Sequence, residues 1–328
     1  MKILLTRLDR VGDLVLSTPA IASVRRSWPQ AHVTLACSRY NAVVVARNPD
    51  VDALAILEPS ADPRRFGADL AGDLDLAIAL APRTLDFRVV GASRARRRIG
   101  YTYVRRYATR LFARRSLTDL VISEADPDLA ERGRRYPVRH EVDQILGLVR
   151  RAGGETVAHE LVLQIDDRDR AAVAQVPPGA IAVQLAPRWL SKGSTLASAL
   201  ALFGELRALG RPLLATFGAD AREFGTRVRE AGVADIVLGD LAFGAWAAAF
   251  EKSAVVLTVD TGATHVASAA RRPTVVLFEH QYFNLNSQEW APYRVPAVCL
   301  RKPAGEGAAE LAGSRAEIVA AVGSLLNV

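Results

Sequence analysis

Residues 255–278 read VVLTVDTGATHVASAARRPTVVLF, a strand, a loop, a helix and a second strand in succession. The first apolar, β-branched run stops at Asp260, a helix of small residues is predicted over 263–270, and 274–278 is β-branched again. Continuous apolar strands connected through helices are typical of parallel sheets with both faces covered. This stretch therefore predicts an α/β protein built on parallel sheets.

The same alternation occurs along the rest of the chain and is interrupted once, in the charged, proline-containing segment 155–180. Strands are predicted near 2–8, 32–37, 53–57, 75–80, 97–101, 180–186, 212–217, 235–238, 255–259 and 274–278. Helices are predicted near 14–27, 39–46, 63–71, 83–91, 139–152, 194–209, 220–231, 241–251, 263–270 and 314–327. We expect two Rossmann-like domains, 1–165 and 166–328, with helix 314–327 packed back on the first.

Composition limits the class of protein. A chain of 328 residues is longer than the roughly 250 residues of a single core, and no uncharged apolar run reaches the about 20 residues of a membrane span. The first residues lack a basic region and a small-residue cleavage site, so they predict a buried strand and a cytoplasmic protein. Cys37 and Cys299 show no CxxC or Cys/His spacing, so neither a disulfide framework nor a zinc site is predicted.

Arginine accounts for most of the net charge of +7 and is concentrated in one region. The members of this arginine patch are Arg94, Arg96, Arg97, Arg98, Arg105, Arg106, Arg110, Arg114 and Arg115. Such a patch attracts anions such as phosphorylated lipids, acidic sugars or nucleic acid, although a solvated surface is an equal alternative. Few aromatic residues are interleaved with the arginines, so nucleic acid is not the expected partner.

Two strand-to-helix loops in the second half are candidate phosphate sites. Gly262 permits close backbone approach, His265 lies in the first helical turn, and the free N–H groups there attract anions. Thr261 is placed to donate to a phosphate and Asp260 to accept from sugar hydroxyls, unless either residue only caps the helix. In the other loop Lys192 precedes a helix and is able to neutralise a diphosphate, although most isolated lysines are solvated.

The first strand also runs into a loop with polar side chains, LDRVGDL at 8–14. Asp13 either caps the following helix or faces a ligand as a catalytic base. Thr18-Pro19 offers an alternative helix start, and Gly12 permits a tight turn, so the sequence favours the base.

Better-known phosphate signatures are missing, since no GxGxxG follows a strand and no GxxxxGK[ST] occurs. A dehydrogenase or a P-loop ATPase is therefore not predicted. The pairs Asp50/Asp52 and Asp73/Asp75 have the DxD spacing of some metal-dependent sugar transferases, but each precedes a predicted strand. Turns into strands explain them better.

Taken together, RLDRVGDLVLSTPAIASVRRSWPQA, DLDLAIAL, RRIGY, RHEVDQILGLVRRAG and VDTGATHVASAARRPTVVLF resemble, in this order, the glycosyltransferase family 9 heptosyltransferases. The resemblance implies a GT-B fold, two Rossmann-like domains facing each other across a cleft. It implies that the acceptor binds mainly to the first domain and the nucleotide sugar mainly to the second. It also implies an inverting transfer from ADP-L-glycero-β-D-manno-heptose that needs neither a metal nor a cofactor.

Carried over residue by residue, the resemblance makes Asp13 the general base and Lys192 the phosphate-binding lysine. Asp260, Thr261, Gly262 and His265 match the family's donor-binding motif. Family acceptors are anionic lipid-linked saccharides, which implies a peripheral contact with the inner face of the inner membrane. On the acceptor side we expect Gly12 and the arginines of the patch that precede or open a strand, namely Arg94, Arg96, Arg97 and Arg98.

Three positions depart from the family pattern, all near the expected donor pocket. Ala263 stands where a proline is common, Glu279-His280-Gln281 replaces Gly-Pro-Thr, and no Trp-Pro follows Lys192. These departures leave open a transferase that uses another nucleotide sugar on a glycan, natural product or protein. A non-catalytic protein that binds a nucleotide or nucleic acid ranks below both.

Overall fold

The computed structural model describes residues 1–123, 125, 137–191, 194–303 and 314–326. The chain divides into two units, Met1–Gln164 and Ile165–Val328. This division lies one residue from position 165, and which unit takes the donor and which the acceptor stays a prediction.

Each unit is built on a six-stranded parallel sheet. The strands of the first unit are β1 (Lys2–Arg7), β2 (His32–Ser38), β3 (Ala53–Leu57), β4 (Leu76–Ala79), β5 (Arg97–Tyr103) and β6 (Asp119–Ser123). Those of the second are β7 (Ala180–Leu185), β8 (Leu213–Phe217), β9 (Ile236–Gly239), β10 (Ser253–Val259), β11 (Thr274–Phe278) and β12 (Ala297–Arg301). The predicted parallel α/β architecture is confirmed, and every predicted strand is present within two residues of its predicted ends.

The two sheets share one topology. Their strand orders are β3-β2-β1-β4-β5-β6 and β12-β11-β10-β7-β8-β9, the same order when each is counted from its first strand. The order reverses between β1 and β4 in the first sheet and between β7 and β10 in the second. Open α/β sheets bind ligands outside the carboxyl ends of the strands at such switch points.

Helices connect the strands. In the first unit they are α1 (Val11–Ser27), α2 (Pro63–Asp69), α3 (Thr84–Ala92), α4 (Tyr107–Ser116) and α5 (Glu141–Ala152). In the second they are α6 (Asp167–Ala171), α7 (Leu196–Arg207), α8 (Arg222–Glu230), α9 (Phe243–Glu251), α10 (Gly262–Ala269), α11 (Phe283–Glu289) and α12 (Arg315–Leu325). None of the helices in the described ranges is long and apolar enough to cross a membrane.

Helix α1 starts earlier than predicted and continues through Pro19. Proline has no N–H for the carbonyl four residues before it, and the Thr18 hydroxyl donates to that carbonyl, of Val15, at 2.7 Å. The expectation that Thr18-Pro19 starts a helix is therefore wrong. Gly12 lies in the first helical turn rather than in a preceding loop.

The helix predicted over 39–46 is wrong as well, since only a short 3-10 turn forms at Ala42–Val44. Asn41 explains the difference because its side chain hydrogen-bonds the backbone of Ser38 and the backbone of Arg7 at the end of β1. Its Oδ1 accepts from the Ser38 N–H at 2.9 Å, and its Nδ2 donates to the carbonyl of Arg7 at 2.9 Å. Such side-chain bonds compete with helix formation.

Helix α12 is the last helix of the described residues. Its buried residues Ile318, Val322 and Leu325 join the core of the second unit with Trp189 and Phe203. Its apolar face therefore lies in the core of its own unit, and the expectation that it packs back on the first unit stays a prediction.

Five elements in the described ranges escaped prediction because their sequences lack a clear apolar period. Edge strands β6 and β12 are half-exposed, α4 contains three arginines, and α6 and α11 are short and polar.

Candidate active site

Asp13 lies in the first turn of α1, just beyond the carboxyl end of β1 and beside the first switch point. The N-cap residue of this helix is Arg10, and no side chain forms a cap hydrogen bond. Of the two roles open to Asp13 from the sequence, helix cap and base, the structure removes the first.

A buried guanidinium organises the groups around Asp13. Arg7, the last residue of β1, is 2% exposed, and its Nε donates to Asp9 Oδ1 at 2.9 Å. Its Nη1 donates to Glu141 Oε1 at 2.9 Å and to the carbonyl of Leu80 at the end of β4. Its Nη2 lies 3.4 Å from Asp13 Oδ1. Burial lowers the pKa of Arg7, but the three carboxylates outweigh it and hold that pKa well above its ordinary value.

The same surroundings give Asp13 an unusual proton affinity. Burial and the negative charge of Asp9 raise the pKa of the Asp13 carboxyl, Arg7 lowers it, Glu141 raises it and Arg10 lowers it. The result is a pKa of about 7. The Asp13 side chain keeps 21% of its surface exposed, so solvent or a ligand can reach it. A reachable carboxyl that titrates near neutral pH is suited to general acid–base chemistry.

Glu141 is a site residue that the sequence analysis missed. It is the first residue of α5 and is 1% exposed. The Tyr101 hydroxyl of β5 contacts both of its carboxylate oxygens at 2.7 Å. Its neighbour His140 accepts the Val142 N–H at 3.2 Å as the helix cap. The sequence shows an acidic residue in a first helical turn, which normally indicates an exposed charge.

A further carboxyl, Asp86, is completely buried in the first turn of α3. Neither of its oxygens has a hydrogen-bond partner among the described residues. Burial and the charge of Asp9 raise its pKa to about 7, and the adjacent Thr6 hydroxyl and the charges of Arg7 and Arg83 offset this only in part.

The arginines expected on the acceptor side lie at the opposite edge of the first sheet from Asp13. They precede or open β5, and this strand of seven residues is about 20 Å long. Arg97 donates to the carbonyls of Ala152 and Arg151 at 2.9 and 3.0 Å, and Arg98 to those of Ser116 and Ala95 at 2.8 and 2.7 Å. Arg96 pairs with Asp75 at 3.4 Å, and Arg94 has a left-handed φ of 54° in the turn before them. Arg94, Arg96, Arg97 and Arg98 therefore do not lie at the edge that carries Asp13, and their role on the acceptor side stays a prediction.

Three other arginines occupy the edge that carries Asp13. Arg10, Arg83 and Arg106 are the N-cap residues of α1, α3 and α4, which follow the adjacent strands β1, β4 and β5. All three are exposed, and none of these helices has a side-chain cap hydrogen bond. Free N–H groups and arginine charges therefore coincide along this edge, which is an arrangement that attracts anions.

In the second unit Asp260 follows β10 at the second switch point. Its Oδ2 accepts from Arg188 Nη1 and from Asn286 Nδ2, both at 2.9 Å. Arg188 Nη1 also donates to the backbone carbonyl of Asp260 at 2.6 Å. Oδ1 takes part in none of these bonds. Arg188 was not predicted, although it stands in the loop after β7 that also carries Lys192.

Helix α10 begins directly after Asp260. Thr261 is its N-cap residue without a side-chain cap bond, and Gly262 is its first residue. The Thr261 hydroxyl lies 3.2 Å from that of Thr258. His265, in the first turn, is 5% exposed. The residues predicted for an anion site are thus adjacent, and the first N–H groups of the helix are not capped by side chains.

Lys192 lies outside the described residues, which resume at Ser194. The loop before it is fixed by Lys302, whose ammonium group is 2% exposed and donates to the carbonyls of Arg188 and Ser191 at 3.0 and 3.3 Å. Glu279 Oε1 accepts from Lys302 at 3.3 Å and from the Ser191 hydroxyl at 3.0 Å. Glu279, one of the departures from the family pattern, therefore holds the loop that carries Arg188.

Both DxD pairs precede strands, as predicted. Asp75 accepts from the Lys2 N–H at 2.8 Å, and Asp52 from the Val33 N–H at 2.7 Å. In the described parts of the chain no group of three or more His, Cys, Asp or Glu residues is arranged to hold a metal ion.

Comparison with known proteins supports the resemblance read from the motifs. Residues 219–317 match the family model of glycosyltransferase family 9 (heptosyltransferase). No curated protein matches the chain by sequence.

Solved structures match the chain over its whole length at low identity. A family 9 glycosyl transferase from Veillonella parvula is 18% identical with a TM-score of 0.77, covering 99% of this chain and 97% of that one. The ADP-heptose lps heptosyltransferase II of E. coli is 19% identical with a TM-score of 0.72, covering 100% and 99%. The E. coli heptosyltransferase WaaC, solved with ADP-2-deoxy-2-fluoro heptose, is 17% identical with a TM-score of 0.69, covering 98% and 99%. The chain therefore has the α/β GT-B-like fold of the heptosyltransferases.

Proposed function

We propose that the protein is an inverting glycosyltransferase that moves a heptose from ADP-L-glycero-β-D-manno-heptose to a hydroxyl of a lipopolysaccharide-core-like saccharide. The observation that carries the proposal is Asp13, a reachable carboxyl with a pKa of about 7 at the first switch point. The family match over 219–317 and the heptosyltransferase-like fold support the reaction class and the choice of donor.

Asp13 acts as the general base. In an inverting transfer the acceptor oxygen attacks the anomeric carbon from the side opposite the diphosphate, and its proton must leave as the new bond forms. The electron pair of the broken glycosidic bond goes to the diphosphate. Ionised Asp13 takes the proton, and its exposed part returns the proton to solvent after product release.

The start of α10 and the loop after β7 take the diphosphate. Negative charge grows on this group in the transition state, so donors fixed beforehand stabilise it more than the ground state. The uncapped N–H groups from Gly262 onwards, the Thr261 hydroxyl, Arg188 and Lys192 are the proposed donors. His265 and Asp260 complete this donor site. With these cations and dipoles the transfer needs no metal and no cofactor.

An anionic saccharide or glycolipid is the proposed acceptor. Arg10, Arg83 and Arg106 are exposed on the edge that carries Asp13, and guanidinium groups bind carboxylates and phosphates in bidentate fashion. These three arginines replace Arg94 and Arg96–Arg98 as acceptor candidates.

A peripheral contact with the inner face of the inner membrane, and hence a cytoplasmic location, goes with a lipid-linked acceptor. Helix α4 exposes Tyr107 and Leu111 (72% and 54%) beside Arg106, Arg114 and Arg115, a combination that favours anionic lipid surfaces. Reversing the charge of the three arginines should weaken co-sedimentation with phosphatidylglycerol vesicles. Unchanged sedimentation contradicts the membrane contact.

A donor screen tests the proposed function. Thermal shift and mass spectrometry are run with ADP-heptose, other ADP-sugars, and UDP- and GDP-sugars, with and without acceptor. We expect selective stabilisation by ADP-heptose and transfer of heptose to a core saccharide. Selective stabilisation by a UDP- or GDP-sugar rejects the heptose assignment in favour of another sugar transferase, and stabilisation by none of them rejects the transferase.

A further inference from the structure

The Arg7 guanidinium faces three carboxylates but does not bind them equally. Asp9 accepts a hydrogen bond from its Nε and Glu141 one from its Nη1, both at 2.9 Å. The nearest oxygen of Asp13 lies 3.4 Å from its Nη2. We propose that Asp9 and Glu141 are positioning residues that occupy Arg7 and so leave the Asp13 carboxylate available to accept a proton. The inference rests on the role of Asp13 as the proton acceptor in the proposed function.

The number of charges around Arg7 supports these different roles of the three carboxylates. One cation faces three carboxylates in a nearly dry environment, and Arg7 and Glu141 are 2% and 1% exposed. Three ionised carboxylates around one guanidinium are not fully neutralised, so the cluster favours holding one proton.

The contacts decide which carboxyl takes that proton. Glu141 accepts hydrogen bonds from Arg7 at 2.9 Å and from the Tyr101 hydroxyl at 2.7 Å. Asp9 is held by the 2.9 Å bond from Nε. Asp13 has the longest ion pair and, at 21%, the most exposed side chain of the three. The proton therefore belongs on the carboxyl that a substrate can reach.

A general base must be ionised and must also bind a proton strongly, and the contacts of Arg7 allow Asp13 to meet both requirements. A carboxylate paired closely with one arginine is ionised but weakly basic, because the cation lowers its pKa. A base that works near neutral pH must have a pKa close to the working pH. By drawing the guanidinium toward themselves and adding negative charge, Asp9 and Glu141 keep Asp13 a stronger base than a direct Arg7–Asp13 pair allows.

The charged groups that face Asp13 come from three elements. Arg7 lies at the end of β1, Asp9 and Arg10 in the turn that leads to α1, and Glu141 on α5. Tyr101 of β5 acts one step further away through Glu141. Removing the charge of Asp9 or Glu141 ends a repulsion and also frees a donor of Arg7 for Asp13. Both effects lower the pKa of Asp13.

The pH dependence of transfer tests the inference with Glu141→Gln and Asp9→Asn. In the wild type we expect kcat/KM to rise through an acidic limb near the Asp13 pKa of about 7. Each variant should move this limb to lower pH by about one unit, the size of effect of one nearby charge.

Glu155→Gln is the matched control, since Glu155 is exposed and lies past the far end of α5. That helix has 12 residues and is about 18 Å long. The control should leave the limb in place. A uniform loss of activity in Glu141→Gln and Asp9→Asn, without movement of the limb, overturns the inference because it indicates a purely structural role.

A second measurement needs no turnover. The carboxyl carbon of Asp13, assigned by its loss in Asp13→Asn, is titrated by ¹³C NMR in the wild type and in variants that keep native circular dichroism. We expect a midpoint near 7 that falls in Glu141→Gln and Asp9→Asn, and an unmoved midpoint overturns the inference. If the midpoints move but no sugar nucleotide is a donor, the proposed function fails while the control of Asp13 by its neighbours stands.

Discussion

The two switch points share a strand order but carry opposite chemistry. At the first, the arginine that ends β1 is 2% exposed and faces three carboxylates. At the second, Arg188 after β7 is 40% exposed and holds one carboxylate, beside an uncapped helix start. A buried cation among excess carboxylates favours accepting a proton, whereas an exposed cation at a helix N-terminus favours binding an anion. The proposed function therefore uses the same backbone for proton transfer in one unit and for leaving-group stabilisation in the other.

The largest expected effect comes from the proton acceptor of the first unit. Asp13→Asn keeps the shape but cannot take a proton, so kcat should fall by ~10²-fold or more. Affinity for the donor, measured by calorimetry, should stay the same because the donor is assigned to the second unit. Wild-type turnover by this variant contradicts the assignment of Asp13 as base.

Asp86 tests whether the first switch point holds an excess of carboxylates. Its folded pKa of about 7 lies above the ordinary aspartate pKa of 3.8. A raised pKa gives stability that is complete below the unfolded pKa and is lost as pH rises to the folded pKa. Between pH 5 and pH 8 the wild type should lose roughly 2 to 3 kcal/mol through this group.

Asp86→Asn removes that loss. Urea unfolding at pH 5 and pH 8 should show that the variant gains stability relative to the wild type as pH rises. Asp69→Asn is the control, because Asp69 is an exposed aspartate at the end of a helix. An equal pH dependence of Asp86→Asn and wild type argues against a protonated, unpaired Asp86.

Substitutions of Arg188 test whether the second switch point binds an anion. Arg188→Gln removes a charged donor beside the start of α10, so the Kd for ADP should rise about tenfold, a typical value for one charge-assisted hydrogen bond. Arg188→Lys should recover part of the affinity, because it keeps the charge but not the bidentate geometry. Arg227→Gln, which removes an exposed arginine of α8, is the control, and an ADP affinity equal to that of the wild type in Arg188→Gln refutes the role.

The smallest expected effect concerns the arginines along the Asp13 edge. Arg83→Gln and Arg106→Gln should each lower kcat/KM for an anionic acceptor by a few-fold, since exposed charges are screened. The effect should shrink at high salt. Arg94→Gln and Arg96→Gln, at the other edge of the sheet, should have no effect. If instead the Arg94 and Arg96 variants lower kcat/KM and the Arg83 and Arg106 variants do not, the arginines at the start of β5 are the acceptor-binding residues.

Sequence periodicity predicted most of the fold, because a strand buried on both faces has to be continuously apolar. β10 and β11 show this pattern, and it located both sheets. The periodicity failed where side chains rather than burial set the local structure. Asn41 replaces a helix with a turn, and Thr18 allows α1 to pass through Pro19.

The candidate site was predictable where a residue directly follows a strand. The Asp260-Thr261-Gly262 loop is of this kind, since a parallel sheet brings the carboxyl ends of its strands to one edge. Asp13 stands in the first turn of α1 and was singled out by the family motif that surrounds it. Glu141 and Asp86 were not predictable, because each stands in a first helical turn where an acidic residue is ordinarily exposed. The arginines that precede or open β5 could have been assigned to the other edge of the sheet from the sequence, because the strand predicted over 97–101 already separates them from Arg105 and Arg106.

The sequence by itself determined the parallel α/β architecture, the residues at the strand ends and the resemblance to family 9, since all of these are local patterns. Only the tertiary structure determines which charged residues pair with each other. Arg7 and Glu141 are 134 positions apart and Arg188 and Asp260 are 72 apart, and only folding brings each pair to hydrogen-bonding distance. Proton affinity depends on such distances and on burial, so the basicity of Asp13 is a property of the fold and not of its motif.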